Sequence, residues 1–531
     1  MNENIKQIIA DGKTALGIEF GSTRIKAVLI DSSGKVFASG SHNWENEFKN
    51  GIWTYSLEDV WSGLQDSYRK LAENVTQQTG EELKVVGAIG VSAMMHGYLA
   101  FDVANNQLAE FRTWRNTITE KAAAILSERF HFNIPQRWSI SHLYQVILND
   151  DSHVKDVSFL TTLAGYVHWK LTGEKVLGIG DASGMFPIDS TTGEYDAAMM
   201  DIFDSLVVEK SYPWKLSEIL PKPLISGENA GSLTADGAKL IDPSGCLRAG
   251  IPLCPPEGDM QTGMIATNSI TPNTGNVSAG TSINAVIVLE KALKGVYPEI
   301  DIVATPAGSP TVLIHGNNCS SEIDAWAKVF LEAAEAIGFK ADMGKVLDAM
   351  FLKALEGDAD CGKMVYYNYL SGETITHLNE GRPMFIRKPD ASFTFANFAR
   401  MQLYSAIATL KLGMDILTKG ENVQIKSFQG HGGYFKAEGV GQKLMAGALC
   451  APVTVSETAG EGGPWGMALL AWYMKNNANG EPIDTFLNKH IFSGQPAVTV
   501  QPEEADITGF EAYMELFVKG LAAEKAAIEN I

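Results

Sequence analysis

Two short segments of this sequence have the residue types to hold phosphate. Ala15 to Asp31 reads ALGIEFGSTRIKAVLID, and a related pattern, TGNVSAGTSINAVIVLE, returns from Thr274 to Glu290. In each, an apolar strand enters a Gly-Ser-Thr or Gly-Thr-Ser turn and a second apolar strand leaves it. Gly21 and Gly280 let the backbone come close to a ligand, while Ser22, Thr23, Thr281 and Ser282 add hydroxyls to N–H donors suited to phosphate oxygens. Met once, such a turn is ordinary hairpin punctuation. Its recurrence in the second half suggests one phosphate tail held from both sides. A third segment, Ala93-Met94-Met95-His96-Gly97, follows the strand-like KVVGAIGVS. A histidine beside a glycine at the C-terminal end of a strand can bond a hydroxyl or a carbonyl, although a lone histidine there is more often structural.

These residues are positioned by an alternation of short apolar strands and helical-period segments, the pattern of an α/β protein. Strands are expected at 15–20, 25–30, 84–91, 98–102, 251–254, 275–279, 283–289, 311–315, 424–428 and 452–455. Helices are expected at 57–75, 119–130, 161–171, 320–334, 341–355, 395–418, 434–448, 463–475 and 503–528. The Pro- and Gly-bearing stretch Leu220 to Pro256 is the best candidate for a crossover between two lobes. The acidic last helix has apolar residues at helical spacing and reads as a packing element.

Bulk properties exclude several partner classes. A chain of 531 residues fits several domains or two large lobes, either with ample core. The net charge of −20 repels nucleic acid and anionic lipid, so neither nucleic acid nor a membrane is an expected partner. Five scattered cysteines, with no C-x-x-C, fit free thiols in a reducing cytosol better than a disulfide framework or a zinc site. The N-terminus lacks a signal peptide's apolar region, and the expectation is a soluble cytoplasmic protein. There is neither a G-x-x-x-x-G-K-[ST] loop nor a G-x-G-x-x-G fingerprint, so any nucleotide is held by another route.

With the Gly-rich GHGG at Gly430 to Gly433, the paired hairpins resemble the actin-like ATPase superfamily, in which two similar halves close on ATP. Further segments resemble the FGGY carbohydrate kinases within it. Met95-His96-Gly97 is similar to their Q-M-H-G element, especially in the xylulokinase branch. Pro255-Pro256-Glu257-Gly258-Asp259, before the probable helix MQTGMIAT, is similar to G-G-D-N-A-A-G. Leu160 to Asp189 resembles K-D-Y-L-x-x-x-L-T-G-E…D-A-S-G, and Ser427 to Trp472 resembles the family's C-terminal glycine-rich run. The likeness extends from about residue 14 to about 475.

The resemblance implies two actin-like (ribonuclease H-like) α/β lobes with an ATP and sugar cleft between them, a sugar lobe over 1–255 and a nucleotide lobe over 256–531. It implies ATP-dependent phosphorylation of a small ketose, a pentulose such as xylulose, with Asp259 accepting the proton of the attacking hydroxyl. An acid in front of a helix is by itself usually an N-cap. A sugar hydroxyl is a weak nucleophile, and a positioned base is worth about 10²–10⁴-fold. Met95, His96, Trp114, Asn116 and Asp259 are the expected sugar contacts. Gly21, Ser22, Thr23, Lys26, Gly280, Thr281 and Ser282 are expected at the phosphates, and Gly430, Gly432 and Gly433 at the nucleoside, where they leave room for adenine and ribose. Mg²⁺ is expected at Glu19 and Asp259. Closure of the lobes on the triphosphate would exclude water. A homodimer is compatible with the sequence.

Departures from the family pattern cluster in the sugar lobe. The usual hairpin Asp is Glu19, whose extra methylene moves the carboxylate by about 1.5 Å. The W-x-D-x-R element reads Trp114-Arg115-Asn116-Thr117-Ile118, His142 stands about where a lysine is expected, and Met260 follows Asp259 where Asn or Gln is usual. The phosphate turns keep their small and hydroxyl residues, which favours an active kinase with an altered sugar pocket. The alternatives are a kinase of another ketose (ribulose, fuculose, rhamnulose) or a polyol, and a nucleotide-gated sugar sensor or interaction protein without turnover.

Overall fold

Apolar residues at nearly every position of Thr14–Phe20 and Arg24–Asp31 make two strands that are buried on both faces, and they pair antiparallel from Thr14↔Asp31 to Phe20↔Ile25. The computed structural model describes residues 2–456, 462–477 and 479–531. They form two compact units, one made of 1–270, 302–311 and 460–494, the other of 271–301, 312–459 and 495–531. The first unit thus runs past residue 255 and takes back a C-terminal helix. Residues 457–461 of the glycine-rich run lie outside the described residues.

In the first unit the five-stranded sheet runs in the order 257–258, 88–93, 14–20, 24–31, 36–43. Strand Ala88–Ala93 lies parallel to Thr14–Phe20, and Glu257–Gly258 lies parallel to it in turn. The carboxyl ends of Phe20, Ala93 and Gly258 therefore meet at one edge, where open α/β sheets bind ligands. Helix Leu57–Thr79 begins at Ser56, whose hydroxyl accepts from the Glu58 and Asp59 N–H groups, and stops at Gly80 in the left-handed region. It packs so closely that a Cβ on Gly40 would meet the Ser67 carbonyl at 2.0 Å. Helix Gly463–Asn476, with Pro464 in its first turn, packs on Gly17 and Gly90. The Trp465 indole N–H donates to the Gly34 carbonyl at 2.6 Å. Leu16, Ile18, Phe20, Ile89 and Val91 are fully buried, each worth about 1.5–3 kcal/mol for a large side chain.

The second unit repeats the plan. Thr274–Ala279 and Ile283–Val288 form an antiparallel hairpin, Ser427–His431 lies parallel to its first strand, and Val453–Ser456 lies parallel to that. Helix Phe395–Asp415 is buried along most of its length, and the final helix Glu504–Asn530 packs through Phe510, Tyr513 and Phe517. The α/β class and the hairpins agree with the sequence reading.

Two expectations fail for local reasons, and one strand was missed. The strand at 251–254 reduces to bridges at Pro252 and Leu253, because Pro252, Pro255 and Pro256 have no N–H to give a ladder. The helix expected from 434 begins at Val440, after Gly439 at φ 76°. Strand Val36–Asn43 was not expected, since polar residues crowd VFASGSHN.

A Cβ at Gly17 would lie 2.0 Å from the Pro464 carbonyl oxygen, a backbone atom that cannot step aside alone. Gly17→Val is expected to lower stability by about 1–3 kcal/mol or more, seen as a lower thermal midpoint. An unchanged midpoint would refute the close docking of helix Gly463–Asn476.

Candidate functional site

Asp259 is the first residue of helix Asp259–Ala266 and directly follows the strand Glu257–Gly258. Its half-buried carboxylate accepts the Met260 N–H at 2.9 Å and also the Met95 N–H. Desolvation raises its pKa to about 6, and these N–H donors limit the rise. Met95, expected as a substrate contact, acts on Asp259 through its backbone. The Met95 side chain is buried against Gly258.

Glu19 stands beside Asp259. Burial, then the charge of Asp259, raise the Glu19 pKa to about 8, while Lys26 and Arg24 oppose the rise. Lys26 faces Glu19 directly across the hairpin register. The extra methylene of Glu19 has a visible accommodation: a Cβ on Gly463 would lie 1.5 Å from Glu19 Oε2 and 2.9 Å from Thr262 Oγ1. Two desolvated carboxyls side by side suit a hard cation such as Mg²⁺, which is commonly held by one or two carboxylates with waters and phosphate oxygens. Among the described residues no group of three or more His, Cys, Asp or Glu could hold a metal.

His96 follows Met95 with φ 69°, and Gly97 follows with φ 93°. This left-handed pair turns the chain sharply after the strand. The His96 Nδ1 is 3.1 Å from the Gly184 carbonyl, which can only accept, so Nδ1 carries the proton and Nε2 is left as an acceptor. Burial, then the nearby Arg137 charge, lower its pKa to about 3, and the ring is neutral at pH 7. Trp138 stacks on it at 6.3 Å. A neutral imidazole with a free acceptor nitrogen fits a hydroxyl donor rather than a carbonyl.

The first phosphate turn is braced by aromatic residues that the sequence did not single out for it. The Trp44 indole donates to the Gly21 carbonyl at 2.7 Å, Tyr55 donates to the Ser22 carbonyl at 2.5 Å, and the two rings stack at 4.2 Å. Trp114, expected against a sugar face, donates its indole N–H to Ser22 Oγ at 3.2 Å and ties this loop to the turn. Thr23 is exposed. Asn116 was expected as a sugar contact. It is buried, its amide donates to the Trp53 and Thr113 carbonyls, and its oxygen accepts the Trp53 N–H, so both amide protons are committed to backbone. His142, at the expected lysine position, is buried with neither ring nitrogen hydrogen-bonded, and burial lowers its pKa to about 3.

In the second unit the Gly280 N–H closes the turn on the Ser282 carbonyl at 2.9 Å. Thr281 is exposed and Ser282 half-buried. The parallel pairing of Ser278 with His431 sets the Gly430–Gly433 loop beside this turn. The three glycines differ. Gly432 has φ 103° and lies against the Ala279 backbone, where a Cβ would come within 2.3 Å of its oxygen. At Gly430 the space a Cβ would take is filled by the Phe435 ring. Only Gly433 faces open space.

Sequence reasoning missed Glu257, Gln261 and Gly463, all buried or half-buried near Asp259. Glu257 stands where the similar family motif has its first glycine. The glycines at 178 and 180 were the available signal, since their missing side chains are replaced in space by Glu257 and Gln261.

Comparison with known proteins bears on the fold and the family. The model for the N-terminal domain of the FGGY family of carbohydrate kinases matches residues 14–266, and that for its C-terminal domain matches residues 275–474. A xylulose kinase of Haemophilus influenzae is 22% identical over 416 residues, 76% of this chain and 79% of that protein. An autoinducer-2 kinase of Escherichia coli K12 is 21% identical over 308 residues, 55% of this chain and 54% of that protein. The crystal structure of a ligand-bound xylulose kinase from Lactobacillus acidophilus matches with a TM-score of 0.75 at 17% identity, over 97% of this chain and 99% of that one.

The contact between Glu19 and Gly463 is directly testable. Gly463→Ala is expected to fold normally, because the new methyl meets the end of a flexible side chain, yet to weaken Mg-ATP binding roughly 10–100-fold by titration calorimetry. The shorter carboxylate of Glu19→Asp should restore most of that affinity in the same background. Equal affinity for wild type and Gly463→Ala would rule the contact out.

Proposed function

The chain belongs to the FGGY family of carbohydrate kinases, and from that premise we propose that it transfers the γ-phosphate of ATP to a hydroxyl of a small ketose, a pentulose such as xylulose, with Asp259 as general base. The carrying observation is the Asp259 carboxylate itself: it accepts the Met260 N–H, the Met95 N–H favours its charged form, and its pKa is raised to about 6. A base poised near the working pH combines a large ionised fraction with enough proton affinity to take a hydroxyl proton. A non-catalytic sensor would have no use for that tuning.

The remaining residues take roles consistent with their chemistry. His96 Nε2 accepts a sugar hydroxyl and orients it toward Asp259. Glu19 and Asp259 would hold Mg²⁺ through oxygen, and the ion would supply charge neutralisation at the phosphates. The turn at Gly21, Ser22 and Thr23, with Lys26, and the turn at Gly280, Thr281 and Ser282 offer N–H groups and hydroxyls to the phosphate oxygens. Gly433 and the neighbouring loop take the nucleoside. The side-chain roles expected for Met95 and Asn116 are not retained, and Trp114 is assigned to the turn it anchors. The choice of a pentulose is supported by the Met95-His96 pair and by the similarity to xylulose kinases. Among the described residues no helix is long and apolar enough to cross a membrane.

The test is ADP release across ketopentoses, ketohexoses, deoxyketoses, sugar acids and polyols, with product mapping. One ketopentose should stand out, and failure of every substrate while Mg-ATP binds would refute the kinase proposal. Asp259→Asn should lower kcat by about 10²–10⁴-fold with sugar affinity little changed. Because the base works only when ionised, kcat/KM should fall by about tenfold per pH unit below a pH of about 6 and level off above it. A flat profile from pH 5 to 8 would exclude Asp259 as the titrating base.

A further inference from the structure

On either side of Asp259 stand two buried polar residues, Glu257 and Gln261, and both grip the same peptide. Glu257 accepts the Gly180 N–H at 3.3 Å and the Asp181 N–H at 2.9 Å. The Gln261 amide donates to the Gly180 carbonyl at 3.1 Å and to the Ala304 carbonyl at 3.0 Å. Gly180 is thus held at its N–H by one neighbour of the base and at its C=O by the other. The Pro256 carbonyl adds a third tie, accepting the Gly178 N–H at 2.7 Å.

The gripped segment leads to the sugar side. Ser183 Oγ donates to the Gly180 carbonyl at 2.5 Å and accepts the Ala304 N–H at 2.8 Å. One residue later, the Gly184 carbonyl accepts the His96 Nδ1–H. Each glycine of the segment leaves space for a member of this set. A Cβ on Gly178 would lie 2.4 Å from Glu257 Oε1, one on Gly180 would lie 2.3 Å from Gln261 Cγ, and one on Gly184 would lie 2.7 Å from His96 Nδ1. The contacts form a closed chain from Asp259 through Glu257 and Gln261 to Gly180, on to Gly184 and His96, and back through the Met95 N–H to Asp259.

We propose that Glu257 and Gln261 are positioning residues, which clamp the segment 178–184 and so fix the His96 acceptor nitrogen relative to the Asp259 carboxylate. The assignment of His96 to the sugar rests on the function proposed above; the clamp itself does not. Neither residue touches the reacting atoms. Their effect is to hold one tautomer and one height of the imidazole, so that the hydroxyl bonded to Nε2 faces the base.

Gln261→Met keeps the length and apolar packing and removes both amide protons. Glu257→Gln keeps the shape and leaves one of the two N–H groups facing an amide. In each variant, amide exchange over 178–185 is expected to quicken roughly tenfold, as for loss of one buried hydrogen bond. Unchanged exchange in both overturns the clamp, whatever the activity, and melting curves identify a variant that fails to fold, in which case the other decides. With the best sugar of the panel, each variant should raise the sugar KM roughly tenfold with a smaller loss of kcat and the same KM for ATP. Added to His96→Ala, neither should raise the sugar KM further; full additivity would show that the clamp does not act through His96. If wild type turns over no sugar, the kinase proposal fails while the exchange measurement still judges the clamp.

Discussion

The first unit depends on keeping four carboxyl groups at one dry edge of its sheet. Glu19, Asp181 and Glu257 all have pKa values raised to about 8 and Asp259 to about 6, in every case chiefly by desolvation. They are neighbours, since the Asp259 charge acts on Glu19 and Asp181, and Asp181 acts on Glu257. What makes the arrangement tolerable is a supply of backbone N–H groups and one hydroxyl: Asp181 takes the Thr162 hydroxyl at 2.7 Å, and Glu257 and Asp259 take N–H donors. A carboxyl with a raised native pKa is favoured in its neutral form by the fold. Its contribution is present at low pH and is lost as pH rises from the ordinary carboxylate range through about 8. This stretch of the fold therefore gives up stability at neutral pH to keep four carboxyl groups desolvated together at one sheet edge.

The two units use one topology for two kinds of chemistry. Each has a hairpin, a strand parallel to the hairpin's first strand, and a further parallel strand. In the first unit the strand ends carry acids and a histidine. In the second they carry the glycines and hydroxyls of 280–282 and 430–433. Gly432, at φ 103° against the Ala279 backbone, shows how tightly that second edge is built. The first turn gets its stiffness differently, from Trp44 and Tyr55 beneath it.

How much of this was legible in the sequence follows from the range of each interaction. The acid at 259 was singled out by the family resemblance, since an acid before a helix is by itself usually an N-cap. The hairpins and the class come from local patterns, namely strand alternation and a Gly-hydroxyl turn. Helix Leu57–Thr79 was readable for the same reason, with a serine before it and a glycine after it. The backbone bonds of Asn116 were not legible, because they join Thr113 three positions away to Trp53 63 positions away, and no sequence pattern marks such an amide. Glu257 and Gln261 went unnoticed because they act on Gly180 across 77 and 81 positions. A motif comparison shows that a glycine has become a glutamate; only the packing shows that the glycines at 178 and 180 make room for it.

The same coupling explains how His96 can sit in an unfavourable backbone region. A non-glycine residue in the left-handed region costs of order 1–3 kcal/mol where the surroundings impose it. Here the strain is held by the Nδ1–H bond to Gly184, by the stacked Trp138 and by the glycine at 97. Relaxing the turn would swing the imidazole off that carbonyl and also withdraw the Met95 N–H from Asp259. The strained turn thus ties the orientation of the acceptor nitrogen to the charge state of the base. A ring that is neutral and pinned as an acceptor suits a donor hydroxyl rather than a carbonyl, and the turn sets it beside the Asp259 carboxylate.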